Sequence, residues 1–389
     1  MKKHIILYAL ETIVLIVLII ASVWVYKLTR VQKVILDPGK IEINEGIGQG
    51  SENTKSEPEG TSSEAEPTSA TAASGQVVTQ KKEDELSKEK KAELTEKYYD
   101  KYDGLFNIAL FGVDSREGDL GKGTRSDSIM VCSIDMNTHE VKLISVFRDT
   151  YLKVGKDSYN KCNAAYAIGG PEQALSMLNT NLDLNLSDYV TIGFEGLIDA
   201  IDALGGVPID VQEEEIFHLN NYQLTMADEL GMEYKPVLVP GMQMLNGIQA
   251  TAYCRIRYVS GGDFKRAERQ RNVITAMLGR TKAVPISSMT AAATAIFPNI
   301  ATSLDINDVL SMLMLVSDYE VTVSDGFPFS GMRNAANVKD KGSCVIPTSL
   351  NSNVKKLHKV LFNEEDYHPS EAVKKYSIRI EEDTAEYIP

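Results

Sequence analysis

Between Ile5 and Tyr26 the chain runs for 22 residues with one charged side chain, Glu11. A helix of about 20 apolar residues is enough to cross a hydrocarbon core of roughly 30 Å. Trp24 and Tyr26 stand at its far end, where amphipathic rings favour the membrane interface. A cleaved signal peptide is the competing reading, but the run is long and no convincing small-x-small cleavage site follows it. The expectation is an uncleaved single-pass anchor at 5–26, with residues 1–4 as a short tail. Lys2 and Lys3 before the span are balanced by Lys27, Arg30 and Lys33 after it, so flanking charge leaves the orientation open.

Beyond the anchor the composition changes abruptly. Residues 41–80 are mostly Ser, Thr, Glu, Gly and Ala, as in Ser51-Glu52-Asn53-Thr54 and Glu66-Pro67-Thr68-Ser69. A segment with so few large apolar side chains buries too little surface to offset its chain entropy. Residues 81–101 are rich in Lys and Glu and read as a solvated helical stalk. The stretch 27–103 is therefore expected to be a disordered acidic tether ending in that stalk.

The folded part begins near Leu105. Phe106 to Gly112 is a short, nearly continuous apolar run, the pattern of a strand buried on both faces. Ser128 to Ile134 and Val141 to Phe147 are two more, joined by a hairpin through Asp135 to His139. Gly170-Pro171 opens a helical pattern with Ala174, Leu175 and Leu178 on one face. Val190 to Phe194 reads as a strand, and Leu197, Ile198, Ile201 and Leu204 mark a helix ended by Gly205-Gly206. Helices are predicted at Phe264 to Lys282, near Thr290 to Phe297 and at Ile306 to Val316. Strands alternating with helices give an α/β class with a mixed sheet. The four cysteines, Cys132, Cys162, Cys254 and Cys344, form no CxxC pair and have no His cluster beside them, which excludes a zinc site of recognisable spacing. Buried free thiols are the expectation, with one disulfide as the alternative in an oxidising compartment.

Across this domain lie arginines beside carboxylates or amides: Asp114-Ser115-Arg116, Arg125-Ser126-Asp127, Phe147-Arg148-Asp149, Arg255-Ile256-Arg257 and Asp263 to Gln270. A guanidinium is always charged and offers a planar fork of donors that matches phosphate oxygens. Several converging with two carboxylates, Asp114 and Asp127, describe a pyrophosphate site with room for Mg²⁺, which keeps waters and takes substrate phosphates as ligands. With residues 252–258 extended, Arg255 and Arg257 would share one strand face. Arg266 and Gln270, four apart, share a helix face, with Arg269 beside them. Asp263 stands where that helix starts and is open to two readings, structural N-cap or catalytic group. The formal charge of −14 argues against a nucleic-acid partner, which would demand a basic surface.

Taken as ordered blocks, these residues resemble the LytR-CpsA-Psr family of cell-envelope proteins. The matching blocks are Leu110 to Arg116, Arg125 to Ser128, Ser145 to Tyr151, Lys161 to Tyr166 with Gly169-Gly170, Asp202 to Val207, Tyr253 to Arg257, and Asp263 to Gln270. The likeness is strong over about 104–282 and weaker to about 362. The chain departs from the family pattern with Phe147, Thr124 and Cys254 where Pro, Gly and Val are usual, changes that remove no charged group.

The resemblance implies an outward-facing, membrane-anchored phosphotransferase that takes a glycopolymer from a polyprenyl-pyrophosphate carrier and attaches it to peptidoglycan as a phosphodiester. It implies an α-β-α sandwich with an apolar tunnel for the lipid, over residues 104–365, followed by a C-terminal tail at 366–389. By the same resemblance Asp114 and Asp127 would hold Mg²⁺, or Mn²⁺ in its place. Arg116, Arg148, Arg255, Arg257, Arg266 and Gln270 would bind the pyrophosphate. Arg148, Arg125 and Asp263 would act in catalysis, Asp263 as nominee for the base. The alternatives are a lipid-pyrophosphate hydrolase using the same residues, a membrane-bound regulator, and a non-catalytic glycopolymer-binding module.

Overall fold

A computed structural model describes residues 36–45, 47, 93, 94, 96, 104–114 and 120–388. The expected anchor at 5–26, most of the tether and Arg116 lie outside these residues. No helix among the described residues is long and apolar enough to cross a membrane.

The core is a six-stranded sheet. β1 (Leu105–Val113) lies at its centre, antiparallel to β2 (Ser126–Asp135), which pairs antiparallel with β3 (Glu140–Val146). The β2–β3 turn is made by Asp135, whose carboxylate accepts the amides of Asn137 at 2.8 Å and Thr138 at 3.0 Å, and by His139 at φ 60°. A small hairpin of β4 (Tyr151–Gly155) and β5 (Ser158–Lys161) leads to α1 (Ala164–Leu182), which is kinked at Gly169 and Gly170 and resumes at Pro171. β6 (Asp188–Ile192) returns parallel to β1 on its other side.

A side lobe follows: α2 (Phe194–Ala203), β7 (Val207–Val211), α3 (Glu213–Leu230), β8 (Gly241–Leu245) and α4 (Gly247–Arg255). Then come α5 (Gly262–Thr281), α6 (Ile286–Ile296), β9 (Ile300–Thr302) antiparallel to β6, α7 (Ile306–Leu315) and β10 (Glu320–Phe327) parallel to β3. The hairpin β11 (Arg333–Val338) with β12 (Gly342–Pro347), then α8 (Leu350–Phe362) and α9 (Glu371–Thr384), complete the chain. Sheet order is β10-β3-β2-β1-β6-β9, a mixed sheet as expected.

Because side chains alternate across a strand, β1 feeds two cores. Ala109, Phe111 and Val113 join a core that includes Leu175 and Leu178 of α1, Val354 and Leu357 of α8, and Val373 and Ile380 of α9. Phe106 and Ile108 pack on the opposite side with Leu143 of β3, Leu315 of α7 and Ile274 of α5. Helices therefore cover both faces. All four cysteines are buried and unpaired, so the disulfide alternative does not apply.

Three expectations need correction. Residues 252–258 are not a strand: α4 carries Arg255 as its last residue, and Ile256 closes it. Asn246 caps this helix through the amide of Gln249 at 3.0 Å, and the small residues Ala250, Thr251 and Ala252 let it pack closely, which an alternation of Arg and apolar residues concealed. The C-terminal tail expected from 366 is helical over Glu371–Thr384, with Val373 and Ile380 in the main core. The tether expected over 27–103 is docked on the domain at 36–45, where Asn44 is buried.

Candidate active site

The carboxylates and arginines meet at one end of the central strands of the sheet, delivered by four segments. Asp127 opens β2, Arg148 and Asp149 follow β3, Arg257 lies after α4, and Asp263, Arg266 and Gln270 stand on α5. Asp127 accepts Arg148 Nη1 at 2.6 Å on one oxygen and Arg257 Nη2 at 3.1 Å on the other. Its backbone carbonyl accepts Arg266 Nη2 at 3.2 Å. Asp263 lies 3.4 Å from Arg148 Nη2, 3.3 Å from Arg266 Nη1 and 3.9 Å from Arg257 Nε. Three guanidiniums thus face these two carboxylates, and Asp149 lies 3.6 Å from Arg148 Nε. With Lys161 beside Asp149 at 3.1 Å, four cations meet three carboxylates and one positive charge is in excess.

The electrostatics favour an anion here. Burial opposes the charge on Arg266, and the neighbouring Arg148 adds to that, so its pKa falls to about 10 despite Asp263. Burial works against the charge of Asp263, but Arg266 and Arg148 together outweigh it and hold this carboxyl below the usual range. Burial likewise opposes the Arg148 charge, and Asp127 and Asp263 overcome it and raise its pKa. Arg266 is 4% exposed, and its Nε and Nη1 lack a hydrogen bond, Nη1 being near Asp263 but out of line. Buried donors left unmade cost about 1–3 kcal/mol each, so a phosphate oxygen accepting them would remove a standing penalty.

Asp263 is not the N-cap of α5, a position held by Gly261; it stands in the first turn, where a carboxylate also suits the helix dipole. Held low, it is a weak proton acceptor in this state. Its neighbour Phe264 meets Phe147, the neighbour of Arg148, edge to face at 4.7 Å, and Arg333 lies over both rings at 4.0 and 4.8 Å. A side chain at Gly326 would strike the Phe147 ring, so that glycine makes room for the bulk. The aromatic pair thus underlies the Arg148–Asp263 contact. In the sequence Phe147 stands out as a departure from the family pattern, but nothing there signals Arg333, which comes from β11, far beyond the arginine motifs.

Two cavities meet at this cluster. One, of about 630 Å³, runs between the sheet and α2, α5, α6 and α7, lined by apolar residues such as Leu110, Val190, Leu197, Met277 and Leu313. Its polar end carries Asp114, Asp127, Arg255, Arg257, Arg266 and Gln270. The other, of about 250 Å³, is lined by Arg148, Asp149, Asp263, Phe264 and Cys344, and shares Asp127, Arg266 and Gln270 with the first. Arg266 and Gln270 therefore do share a working face.

Arg255 is separated from Arg257 and stacks on Phe194 at 4.6 Å and Tyr222 at 5.4 Å, still within the larger cavity. Arg269 turns away to a buried pair with Glu215 at 2.6 Å. Arg125, expected in catalysis, is exposed one residue before β2 and lines neither cavity. Arg116 lies outside the described residues. Among the described residues no group of three or more His, Cys, Asp and Glu forms a metal cluster. Asp114 and Asp127 offer oxygen donors at one cavity end, a set that fits a hard cation only with waters and phosphate oxygens completing its shell.

The fold is an α/β sandwich whose apolar cavity ends in arginines and carboxylates. The chain belongs to the LytR_cpsA_psr family, whose sequence model matches residues 69–351. It is 28% identical over 253 residues to the polyisoprenyl-teichoic acid–peptidoglycan teichoic acid transferase TagV of Bacillus subtilis, covering 64% of this chain and 62% of that protein. It is 32% identical over 217 residues to the corresponding TagU of Oceanobacillus iheyensis, covering 53% and 61%. Regulatory protein MsrR of Staphylococcus aureus is 35% identical over 176 residues, covering 45% and 48%. The chain thus spans about half to three fifths of the length of these relatives. Among solved structures it is similar to B. subtilis TagV (TM-score 0.53, 27% identity, covering 68% of this chain and 98% of that one). It shares the fold of TagT bound to LI-WTA (TM-score 0.53, 21% identity, covering 67% and 90%).

Proposed function

We propose that this protein transfers a glycopolymer from a polyprenyl-pyrophosphate carrier to peptidoglycan, on the outer face of the membrane to which residues 5–26 anchor it. The observation that carries this reading is the apolar cavity of about 630 Å³ ending at a buried arginine with two donors that make no hydrogen bond. A prenyl chain needs the apolar lining and a pyrophosphate needs the guanidiniums. The name of TagV, a transferase from polyisoprenyl-linked teichoic acid to peptidoglycan, supports it.

In the reaction, an acceptor hydroxyl oxygen forms a bond to the phosphorus that carries the glycopolymer. The bond from that phosphorus to the bridging oxygen breaks, and the lipid phosphate departs with the electron pair. Arg148, Arg257 and Arg266 offset the charge that grows on the phosphoryl oxygens and leaving group. Pyrophosphate competing for these donors loosens their hold on Asp263 and adds negative charge beside it, both of which raise its pKa. Asp263 then takes the hydroxyl proton. Asp114 and Asp127 would hold Mg²⁺ or Mn²⁺, which supplies Lewis-acid stabilisation of phosphoryl oxygens when bound. Arg255, on its aromatic platform, guides the head group where the apolar lining ends.

The test is to incubate the full-length chain in detergent with a lipid-linked glycopolymer and peptidoglycan, with and without chelator. Phosphodiester-linked polymer that disappears with chelator is expected. Free lipid phosphate with no linked polymer would indicate a hydrolase, and no turnover with retained binding a carrier module.

A further inference from the structure

The segment between the expected anchor and the polar stretch is not free chain. Asp37 donates its amide to Glu172 at 3.0 Å, and Glu42 donates its amide to Ser176 Oγ at 3.0 Å. Asn44 Nδ2 donates to Thr180 O at 2.8 Å and to Asp183 Oδ1 at 2.6 Å. Glu172, Ser176, Thr180 and Asp183 recur at helical spacing, so this segment lies along one face of α1. Leu36 and Ile41 pack against the main core, and Asn44 is 8% exposed.

Asp183 joins the two ends of the chain. It closes α1 in a left-handed conformation at φ 52° and is 1% exposed. Besides Asn44, its carboxylate accepts Ser370 Oγ at 2.6 Å and the Ser370 amide at 2.7 Å. Ser370 in turn caps α9 through the amide of Val373 at 3.2 Å. Residues 36–47 and α9 both lie outside the 69–351 matched by the family's sequence model. They meet on one buried carboxylate, which is costly to leave unpaired.

We propose that residues 36–45 form a strap that holds the domain close to the membrane with its arginine-lined end nearest the bilayer. This rests on the reading of residues 5–26 as a membrane anchor. With the strap docked, the roughly ten residue steps from 26 to 36 span at most about 35 Å, whereas the stretch from 26 to 105 without it reaches about 260 Å. The length of chain that follows residue 45 then does not set the height. Orientation follows from α1. Past its kink at Gly169 and Gly170 the helix runs to Asp183, which leads within five residues into β6; β6 pairs in parallel with β1, so Asp183 lies at the end of the sheet opposite Asp114 and Asp127. The strap meets α1 at Glu172 first and reaches the far end at Asp183 last. The membrane-side end of the strap is therefore the end nearer the arginines.

The experiment uses the full-length chain in lipid vesicles. Amide exchange of peptides covering 36–45 should be slow while those covering 50–80 exchange at once. Asn44→Ala should speed exchange at 36–45 by roughly 10- to 100-fold, because two buried hydrogen bonds are lost, with exchange in β1–β3 unchanged. Asn44→Asp, which sets a second carboxylate against Asp183, should do the same. A dye on Lys355→Cys, specific because the native cysteines are buried, should lose energy transfer to a bilayer-plane acceptor in both variants. Wild-type exchange at 36–45 as fast as at 50–80, with the chain still resistant to alkaline extraction, overturns the strap alone. Alkaline release of the chain with 36–45 still protected overturns the anchor reading, and with it the height.

Discussion

Arg266 and Arg269 are one turn apart on α5 and equally buried, each at 4% exposure, yet they do opposite work. Arg269 is satisfied: Nε donates to Glu215 at 2.6 Å and Nη1 to the Ile256 carbonyl at 3.3 Å, and the ring of Tyr253 lies 5.9 Å from it. Arg266 faces the Asp263 carboxylate, shared with two other arginines, and the Asp127 backbone carbonyl, and keeps two donors unmade. A buried ion pair that is complete ties the side lobe to the helix. One that is incomplete is a binding site awaiting an anion. Neither exposure nor residue type separates them; the count of satisfied donors does.

The largest effect should come from Arg269. Arg269→Ala strands Glu215, whose side chain is 6% exposed, and should cost about 3–5 kcal/mol in denaturant unfolding. Restoring most of that loss with Glu215→Leu added would confirm that the stranded charge is the cause. Arg266→Met should do the reverse: stability within about 1.5 kcal/mol of wild type, and affinity for a polyprenyl pyrophosphate analogue down by roughly 10- to 150-fold, the value of a charge-assisted hydrogen bond. Equal melting losses in Arg266→Met and Arg269→Ala would erase the distinction.

A smaller effect is expected at Arg257, which is 37% exposed and bonded to Asp127. Arg257→Lys keeps the charge but loses the fork, and should weaken analogue binding by about 10-fold with an unchanged melt. The smallest concerns pH. Asp263 is held below the usual carboxylate range, so its stabilising contribution is full above its unfolded pKa and fades as pH falls through the folded one. The melting gap between wild type and Asp263→Asn should be constant at neutral pH and close only below about pH 4. A gap that closes near pH 6 would mean that the carboxylate is not held low by its arginines.

Much of the sheet was legible because it depends on short-range pattern. The apolar run at Phe106 to Gly112 is β1, and the Asp135 to His139 turn is where turn chemistry put it. α3 was missed because its buried positions include polar residues, Glu215 and Gln223, and its apolar Phe217 and Leu224 face solvent. Arg255 was misplaced because alternating Arg and apolar residues satisfy a strand pattern as readily as the last turn of a helix. The docked segment at 36–45 was missed because its hold is made largely by backbone amides and one Asn, and Leu36 and Ile41 alone are too few to form a periodic apolar pattern.

By itself the sequence determined the class, the mixed sheet and the roster of charged groups, since periodicity and the chemistry of guanidinium and carboxylate are local properties. It placed Arg148, Arg257, Arg266, Asp127 and Asp263 together only through a family resemblance. Tertiary structure decided which arginines are complete and which are not. It sent Arg269 to Glu215, Arg255 to two aromatic rings and Arg125 to solvent, and it set Arg333 over a ring pair beneath the cluster. The reason is that hydrogen-bond satisfaction is a property of partners brought from distant segments, and Asp127 and Asp263 stand 136 positions apart in the chain until the sheet and α5 bring them to the same three guanidiniums.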